Sequence, residues 1–278
     1  AAARILRPSR LAVPALSLQS TPMSIVQSPE VTAESLTSWF DTALGQYVLE
    51  RERDYYDRVV ADIFGYNALQ YGLAQIDLLR TSRIPSRWCL GSAGPIALKA
   101  DFRDLPIAAN SVDLVVLPHV LEFTDDPHQI LREVVRVLVP EGQVVISGFN
   151  PWSLLGLKRI APSARAEMPW SGRFINMPRL KDWLSLLSFD VIGGRMHGYL
   201  PPFSQERWLR RFSFLDKAGD RWWPFAGGIY LLQAVKRVRG MRVITPSWRP
   251  AIAASGNVVA LRRVRGRAMA ARESTQKR

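Results

Sequence analysis

The chain has 278 residues, 47% hydrophobic and 22% charged, so it is long enough to bury one large core. Its formal net charge of +13 comes from the two ends, because residues 24–235 hold 22 Lys/Arg against 23 Asp/Glu. This nearly neutral body argues against a basic nucleic-acid-binding domain, the single cysteine, Cys89, excludes an internal disulfide, and no apolar run reaches the length of a bilayer span.

The two ends differ from the body in composition. Residues 1–29 are rich in Ala, Ser, Pro and Arg and are expected to form a disordered extension. They are either a targeting peptide or, as we favour, residues mostly ahead of a biological start at Met23. Residues 30–236 are expected to form the folded domain. Residues 237–278 form a basic tail, expected to be disordered and to attract nucleic acid or anionic lipid without sequence specificity.

The first predicted elements of the domain are helical. Residues 33–64 are expected to form two helices, or one helix that is broken at Gly45. Acidic and basic side chains alternate in the second half of this stretch. The apolar positions with helical spacing are Trp39, Phe40, Ala43, Leu44, Tyr47 and Val48.

A strand, a helix and a strand follow in the middle of the chain. Residues 113–117 (DLVVL) and 143–147 (QVVIS) are short β-branched runs, which is typical of strands buried on both faces of a parallel sheet. Parallel strands need a crossover connection, and the helix between these runs supplies it. Ligands of open parallel sheets bind beyond the carboxyl ends of the strands, so the loops there are the places to look for a site.

Local signals mark both ends of this crossover helix. Asp126 is expected to cap it, Pro127 to take its first position, and Gln129 to complete a capping box. Residues 140–142 (PEG) are expected to stop it. The charged residues Arg132, Glu133 and Arg136 are interpreted as solvated. The expected buried stripe is Ile130, Leu131, Val134, Val135 and Leu138.

The last third of the domain is predicted to add a helix over residues 178–187 and strands over residues 189–195 and 228–235. The segment between these strands is rich in aromatic and basic side chains. Such residues stack bases or lie on an anionic membrane, but we favour packing into a satellite core. The residues concerned are Trp208, Arg210, Arg211, Trp222 and Trp223.

Residues 101–149 carry a composite pattern, which is D-x-x-x-L-P from Asp101, then S-x-D-x-V from Ser111, H-x-L-E from His119 and L-x-E-x-x-R-V-L-x-P-x-G from Leu131. This pattern resembles that of class I S-adenosylmethionine-dependent methyltransferases with a type 11 methyltransferase domain. This resemblance implies a Rossmann-like α/β fold, with a seven-stranded, mostly parallel sheet and helices on both faces. It also implies S-adenosylmethionine as cofactor, and a lid formed by the first helices.

The resemblance implies a cofactor site whose first half is altered. The loop after the first strand has Gly65 and Gly72 but no G-x-G, and residues 88–92, at the end of the second strand, lack the acid that would hold the ribose. The connection from Gly72 to Asp101 is also short for the family, so its helices are expected to be shortened. The remaining implied contacts are Asp101 to the adenine amine, Phe102 to the adenine ring, and Leu117.

The resemblance also places candidate catalytic and substrate residues. His119 ends the central strand, where it would orient a nucleophile, act as a general base, or support the site indirectly through hydrogen bonds. Glu122 is expected to anchor the loop. Asn150 and Trp152 follow the fifth strand and are candidates for substrate contact. The histidines and the cysteine show no metal-binding spacing, so no metal is expected.

The function that the resemblance implies is methyl transfer to a small-molecule acceptor by a cytoplasmic enzyme. One alternative is a catalytically silent binding or scaffold protein with the same fold, which uses its basic tail to contact nucleic acid or an anionic membrane. An NAD-linked Rossmann enzyme is a weaker alternative, because the glycine fingerprint and the ribose acid of that class are both absent.

Overall fold

The computed structural model describes residues 36–91, 98–201, 206–212, 216, 219, 221–223 and 225–238. The predictions made for residues 1–29 and for the tail beyond residue 238 lie outside these residues.

A seven-stranded sheet forms the centre of the protein, in the order β3-β2-β1-β4-β5-β7-β6. Strands β1 to β5 pair in parallel, and β7 is antiparallel to both β5 and β6. The α/β fold with a mostly parallel sheet is therefore confirmed. The strands are β1 (Asn67–Tyr71), β2 (Ser86–Gly91), β3 (Leu98–Lys99), β4 (Val112–Pro118), β5 (Leu138–Phe149), β6 (Phe189–His197) and β7 (Ile229–Lys236).

Helices cover both faces of this sheet. Residues 36–40 are also helical and lead into the first long helix. The helices are α1 (Ala43–Ala61), α2 (Pro127–Val137), α3 (Leu154–Leu157), α4 (Met177–Leu186) and α5 (Glu206–Arg211), with 3-10 turns at Lys158–Ile160 and Pro162–Ala166.

The core consists of two apolar layers, one on each face of the sheet. One layer joins α1 and residues 36–40 to side chains such as Ala68, Leu114 and Val145. The other joins α2 and α4 to the alternate strand positions, such as Leu69 and Val115. Because successive side chains of a strand point to opposite faces, each buried strand supplies both layers, which explains its continuous apolar sequence.

Helix α1 begins at a cap rather than at a break in a longer helix. The preceding helical residues end at Phe40, and the Thr42 hydroxyl accepts a hydrogen bond from the Gly45 backbone N–H at 3.1 Å. The predicted interruption at Gly45 is wrong, since Gly45 lies inside α1. A Cβ at Gly45 would overlap the backbone carbonyl of Trp39, so this glycine allows the two helical segments to pack closely.

The crossover helix α2 begins as its sequence predicts. The Asp126 carboxylate accepts a hydrogen bond from the Gln129 backbone N–H at 3.0 Å, and Pro127 is the first helical residue. The capping box is not completed, because the Gln129 side chain donates to the Arg103 carbonyl instead. The helix ends at Val137, ahead of the predicted stop, and β5 begins at the next residue.

Two charged residues of α2 bind a neighbouring loop instead of being fully solvated, contrary to expectation, although Arg136 remains partly exposed. Glu133 is buried and accepts a hydrogen bond from the Leu105 backbone N–H at 3.2 Å. Arg136 donates to the carbonyls of Leu105 and Ile107 at 2.9 and 2.8 Å and pairs with Glu133 at 2.8 Å. The L-P and E-x-x-R parts of the sequence pattern therefore hold the loop ahead of β4 onto α2.

A shortened helix was expected between β1 and β2, but residues 72–85 contain no helix. The buried Gln70 side chain instead fixes this connection by hydrogen bonds to its backbone. Its amide donates to the Ile76 carbonyl at 2.8 Å and accepts from the Leu78 backbone N–H at 3.0 Å. One side chain of β1 thus fixes the loop that leaves the same strand.

None of the helices in the described part of the chain has both the length and the apolar composition that a membrane crossing requires.

Candidate functional site

A cluster of buried charged side chains lies at the carboxyl ends of β4 and β5. His119 is the first residue after β4, and its side chain lies between two carboxylates. Nε2 is 2.6 Å from Glu52 Oε1, and Nδ1 is 2.9 Å from Glu122 Oε2. Glu52 comes from α1, whereas Glu122 belongs to the loop after β4. The cluster therefore links α1 to the edge of the sheet.

The backbone and the neighbouring rings fix the orientation of His119. Its φ angle of +54° lies in the left-handed region, which non-glycine residues rarely adopt and which is often found at functional sites. Its imidazole stacks on the Phe149 ring, with a centroid distance of 4.1 Å. The other Glu122 oxygen, Oε1, accepts a hydrogen bond from the Phe149 backbone N–H at 2.5 Å. The end of β5 is thereby tied to the same cluster.

The electrostatics of the cluster favour a protonated histidine. Burial alone would lower the pKa of His119, but the negative charge of Glu52 and the hydrogen bonds to both carboxylates raise it to about 10. Burial raises the pKa of Glu122 above its usual value, and the bond to His119 opposes this effect. When both carboxyls are ionised, the cluster carries one net negative charge.

One polar atom of this cluster, Oε2 of Glu52, is buried without a hydrogen-bond partner among the described residues. The buried hydroxyl of Tyr56 lies within reach of Ser147. The Tyr56 ring lies near both Ser147 and Glu52, and burial, followed by the charge of Glu52, raises the pKa of its hydroxyl. Buried polar atoms without partners are rare and costly, so they mark a place where a polar ligand can bind.

The predicted adenine contacts lie at the surface, near the end of β1. Asp101 is half-exposed and pairs with Arg103, with Oδ2 2.7 Å from Nη2. This pairing lowers the pKa of the Asp101 carboxyl. The Phe102 ring lies 5.2 Å from the Tyr71 ring, centroid to centroid. Gly72 follows directly with φ +65°, and a Cβ there would meet only the edge of Phe102, at 3.9 Å.

Two predicted cofactor residues lie elsewhere. Gly65 was expected in the loop after the first strand, but β1 begins only at Asn67, so Gly65 precedes the strand. It packs against the Asp113 side chain near the amino-terminal ends of β1 and β4, opposite the carboxyl ends where ligands bind. Leu117 is fully buried in the core layer that faces α2, where it contributes packing rather than a surface for a ligand.

Of the two predicted substrate contacts, only Trp152 is accessible. The buried Asn150 amide donates both hydrogens, to the carbonyls of Phe225 and Gly227 at 2.9 Å each. Its oxygen accepts from the Trp152 backbone N–H at 3.1 Å. Asn150 therefore joins two loops and is not available to a substrate, while Trp152 is 78% exposed.

The prediction of a satellite core between β6 and β7 is wrong for two of the tryptophans in that segment. Trp222 and Trp223 are exposed, although Trp208 stacks on Phe212 at 5.9 Å between ring centroids. Asp216 of the same segment pairs with Arg51 of α1 and accepts from the Tyr199 backbone N–H at 3.1 Å.

Glu52 is a functional candidate that sequence reasoning missed, because acidic and basic side chains alternate around it. The sequence signal for its burial is its spacing from the apolar residues of the helix. Glu52 lies four residues after Val48 and four before Tyr56, both of which are buried on α1. A carboxylate in the middle of an apolar stripe needs a buried partner, and His119 is that partner.

Comparison with known protein families agrees with the α/β fold described above. Residues 54–146 match the model of a family described as a methyltransferase domain. This range includes the four parallel strands β1 to β4, the helix α2 and most of β5. This part of the chain is therefore similar to a class I methyltransferase domain. S-adenosylmethionine is the cofactor of that class.

Curated relatives match parts of the chain. The uncharacterized protein YafS of Escherichia coli K12 is 44% identical over 107 residues, which cover 38% of this chain and 45% of that protein. The malonyl-[acyl-carrier protein] O-methyltransferase of Methylovorus sp. MP688 is 34% identical over 95 residues, 34% of this chain and 32% of that protein. The chain thus matches less than half the length of each of these relatives.

Solved structures share the fold at low sequence identity. A S-adenosylmethionine-dependent methyltransferase from Thermotoga maritima has a TM-score of 0.51 and 14% identity, covering 75% of this chain and 98% of its own. A chain of the complex that contains the Haloferax volcanii Trm112 methyltransferase activator has a TM-score of 0.54 and 16% identity, covering 77% and 99%. These likenesses support the fold.

The raised pKa of His119 predicts a loss of stability at alkaline pH. Its pKa is about 10 in the folded protein and close to 6.5 in an unfolded chain, so its stabilising effect is complete below about pH 6.5 and lost as the pH rises toward 10. We expect the free energy of unfolding in urea to fall between pH 6.5 and 9.5, and to fall less in His119→Asn. Asparagine tolerates the left-handed backbone but does not titrate.

Equal pH dependence of the two proteins would contradict this assignment. An NMR titration of the imidazole in the unaltered protein measures the same pKa without any substitution.

The three hydrogen bonds of Asn150 predict a structural role that its neighbour Trp152 lacks. Asn150→Ala should lower the free energy of unfolding by about 2–3 kcal/mol, because it leaves buried backbone groups without partners. Trp152→Ala should change it by less than about 0.5 kcal/mol, because the ring is exposed. Urea unfolding at neutral pH measures both, and similar losses in the two variants would refute the distinction.

Proposed function

We propose that the protein is a S-adenosylmethionine-dependent methyltransferase, with its site at the carboxyl edge of β1, β4 and β5. The observation that carries the proposal is the matched domain, which contains the adenine-side residues Asp101 and Phe102 together with His119 and Glu122 of the buried cluster. Glu52, the third member of that cluster, lies just ahead of the matched range. Parallel sheets of this kind bind ligands at this edge.

The residues present fit the adenine and methionine ends of the cofactor. The Asp101 carboxylate can accept a hydrogen bond from the adenine amine, and Phe102 offers an apolar surface beside it. Gly72 leaves open space where a side chain would stand, so the backbone there can lie against a ligand. The expected position of a ribose contact, directly after Gly91, lies outside the described residues.

The buried cluster adds an electrostatic match. The cofactor supplies a methyl group that is already activated on a positively charged sulfur. Glu52 has one oxygen, Oε2, without a partner in the described part of the chain, and the cluster as a whole has more carboxylates than cations. A carboxylate that is buried and only partly compensated favours a cationic ligand nearby. We infer that Glu52 contributes to binding the cofactor as a cation.

His119 acts as a positioning residue in this proposal. Its pKa of about 10 keeps the imidazole protonated at neutral pH, so it cannot accept a proton from the acceptor there. It can hold Glu52 in place through Nε2 while Glu122 holds the imidazole through Nδ1. Methyl transfer from an activated donor needs alignment and exclusion of water more than acid–base chemistry, which agrees with this role.

We propose a small or medium-sized nucleophile as the methyl acceptor. Two relatives act on different acceptors by name: the Methylovorus enzyme on malonyl-[acyl-carrier protein], and a Chlamydia pneumoniae enzyme, 29% identical over 86 residues, on demethylmenaquinone. Of the two predicted substrate contacts, Trp152 is the one that is exposed at the edge where an acceptor would approach.

A second candidate function is a methyltransferase fold that binds a partner without catalysis. Two observations favour it: residues 72–85 contain no glycine-rich loop leading into a helix, and His119 is sealed beneath α1. In this case the basic tail would make the contact, with nucleic acid or an anionic membrane as its partner.

Cofactor binding distinguishes the two candidates. We expect calorimetric titration of the full chain to show binding of S-adenosylmethionine and S-adenosylhomocysteine, with affinity at least about tenfold lower in Asp101→Ala, because a hydrogen bond to a charged group contributes about 1.5–3 kcal/mol. Asp182→Ala, which removes an exposed carboxylate from α4, is the matched control. No binding of either ligand at millimolar concentration to folded protein would exclude the enzyme.

Glu52→Gln tests the charge of the buried cluster separately. Glutamine keeps the shape and one hydrogen bond to His119 but removes the negative charge. We expect the variant to lose more affinity for S-adenosylmethionine than for S-adenosylhomocysteine, since the two differ in the charge of the sulfur. Equal losses for both ligands would assign Glu52 a purely structural role.

A further inference from the structure

An exposed apolar patch borders the edge of the sheet where β5 ends and β7 begins. One part is a row of aliphatic side chains, Leu154, Leu157 and Ile160. The three are spaced three residues apart along α3 and the following 3-10 turn, so they point to the same side. Leu155 and Ala164, in contrast, are buried in the core layer below. This short segment is therefore amphipathic, with its apolar row facing outward.

The other part of the patch is aromatic. Trp152 is 78% exposed, Trp223 is 64% exposed and Phe225 is 75% exposed. The Asn150 amide brings the backbones of two of these residues together, since it accepts from the Trp152 backbone N–H and donates to the Phe225 carbonyl. Trp223 belongs to the same turn, because its carbonyl accepts from the Ala226 backbone N–H at 2.9 Å.

The charges next to these side chains are mostly positive. Residues 152–166 and 221–228, which supply the patch, contain Lys158, Arg159, Arg165 and Arg221. The nearest acidic residues in the sequence are Asp220 and Glu167, and Glu167 pairs with Lys158 at 3.5 Å, so the positive charge of the patch comes mainly from its arginines. Arg165 and Arg221 are exposed, and Lys158 and Arg159 are partly exposed. The acidic Asp216 nearby in the sequence is paired with Arg51 of α1. A partner of this surface should carry negative charges on its own surface and apolar groups beneath them.

We propose that this patch docks the protein on an anionic phospholipid bilayer. Tryptophan is enriched at the level of the lipid head groups, and a row of Leu and Ile beside it can enter the acyl boundary. Each Lys or Arg close to an anionic surface contributes about fivefold to partitioning. The chain thus binds to the surface of the membrane through this patch, with the carboxyl edge of β5 toward the lipid. This inference is independent of methyl transfer.

Flotation of the full chain with lipid vesicles tests the proposal. We expect binding to vesicles of phosphatidylcholine with phosphatidylglycerol, and much weaker binding to phosphatidylcholine alone. The variant Trp152→Ser/Trp223→Ser/Phe225→Ser should bind the anionic vesicles at least about tenfold more weakly, because three interfacial side chains are lost. Phe64→Ser/Tyr66→Ser is the matched control, since both rings are equally exposed but precede β1 at the opposite edge.

Two outcomes would overturn the proposal. If the triple variant binds anionic vesicles as well as the unaltered protein does, the basic tail alone accounts for binding. If the unaltered protein does not float with anionic vesicles, the partner is another kind of molecule, such as an acidic protein. Quenching of tryptophan fluorescence by brominated lipids in the unaltered protein provides a second measurement that does not depend on the folding of the variant.

Discussion

One buried ionic interaction, that of His119 with Glu52 and Glu122, joins α1 to the sheet within the apolar layer between them. Taking three ionisable groups out of water is costly, and their mutual attraction and hydrogen bonds must offset that cost. His119 directly follows β4, so its bond to Glu122 fixes the start of the loop after that strand. Glu122 also accepts a hydrogen bond from the Phe149 backbone N–H at the end of β5. The first helix, two central strands and the edge where ligands bind are therefore positioned by a single set of side chains.

The fold was predictable from the sequence where its determinants are local. The strands around Val115 and Val145 follow from β-branched runs, and the start of α2 follows from Asp126 and Pro127, because these signals act within a few residues. The site was less predictable, since its contacts join distant residues. Glu52 and His119 are 67 positions apart, and Asn150 reaches carbonyls 75 and 77 positions away. Glu133 and Arg136 looked solvated because their partners are backbone groups of another loop.

The exposed aromatic side chains and the buried cluster lie at the same edge of the sheet, joined through β5. Phe149 stacks on His119, and the next residue, Asn150, holds Trp152 and Phe225 together. Composition alone did not reveal this arrangement, because a tryptophan packs in a core or at an interface equally well and only tertiary contacts decide which. If the patch rests on a bilayer, the proposed site faces the lipid surface, and an amphipathic acceptor would reach it without crossing bulk water.

The helix-free connection between β1 and β2 has a consequence for the electric field of the site. In Rossmann-like folds a helix that starts directly after the first strand directs the positive end of its dipole at the ligand, a contribution that does not titrate. Residues 72–85 place no such helix there. The field at this edge therefore comes from charged side chains such as Asp101 and His119. The lowered pKa of Asp101 and the pKa of about 10 of His119 keep both charges constant near neutral pH. A ligand held by them would therefore lose affinity only in distinctly acidic or alkaline solution, where the field of a helix terminus would not change.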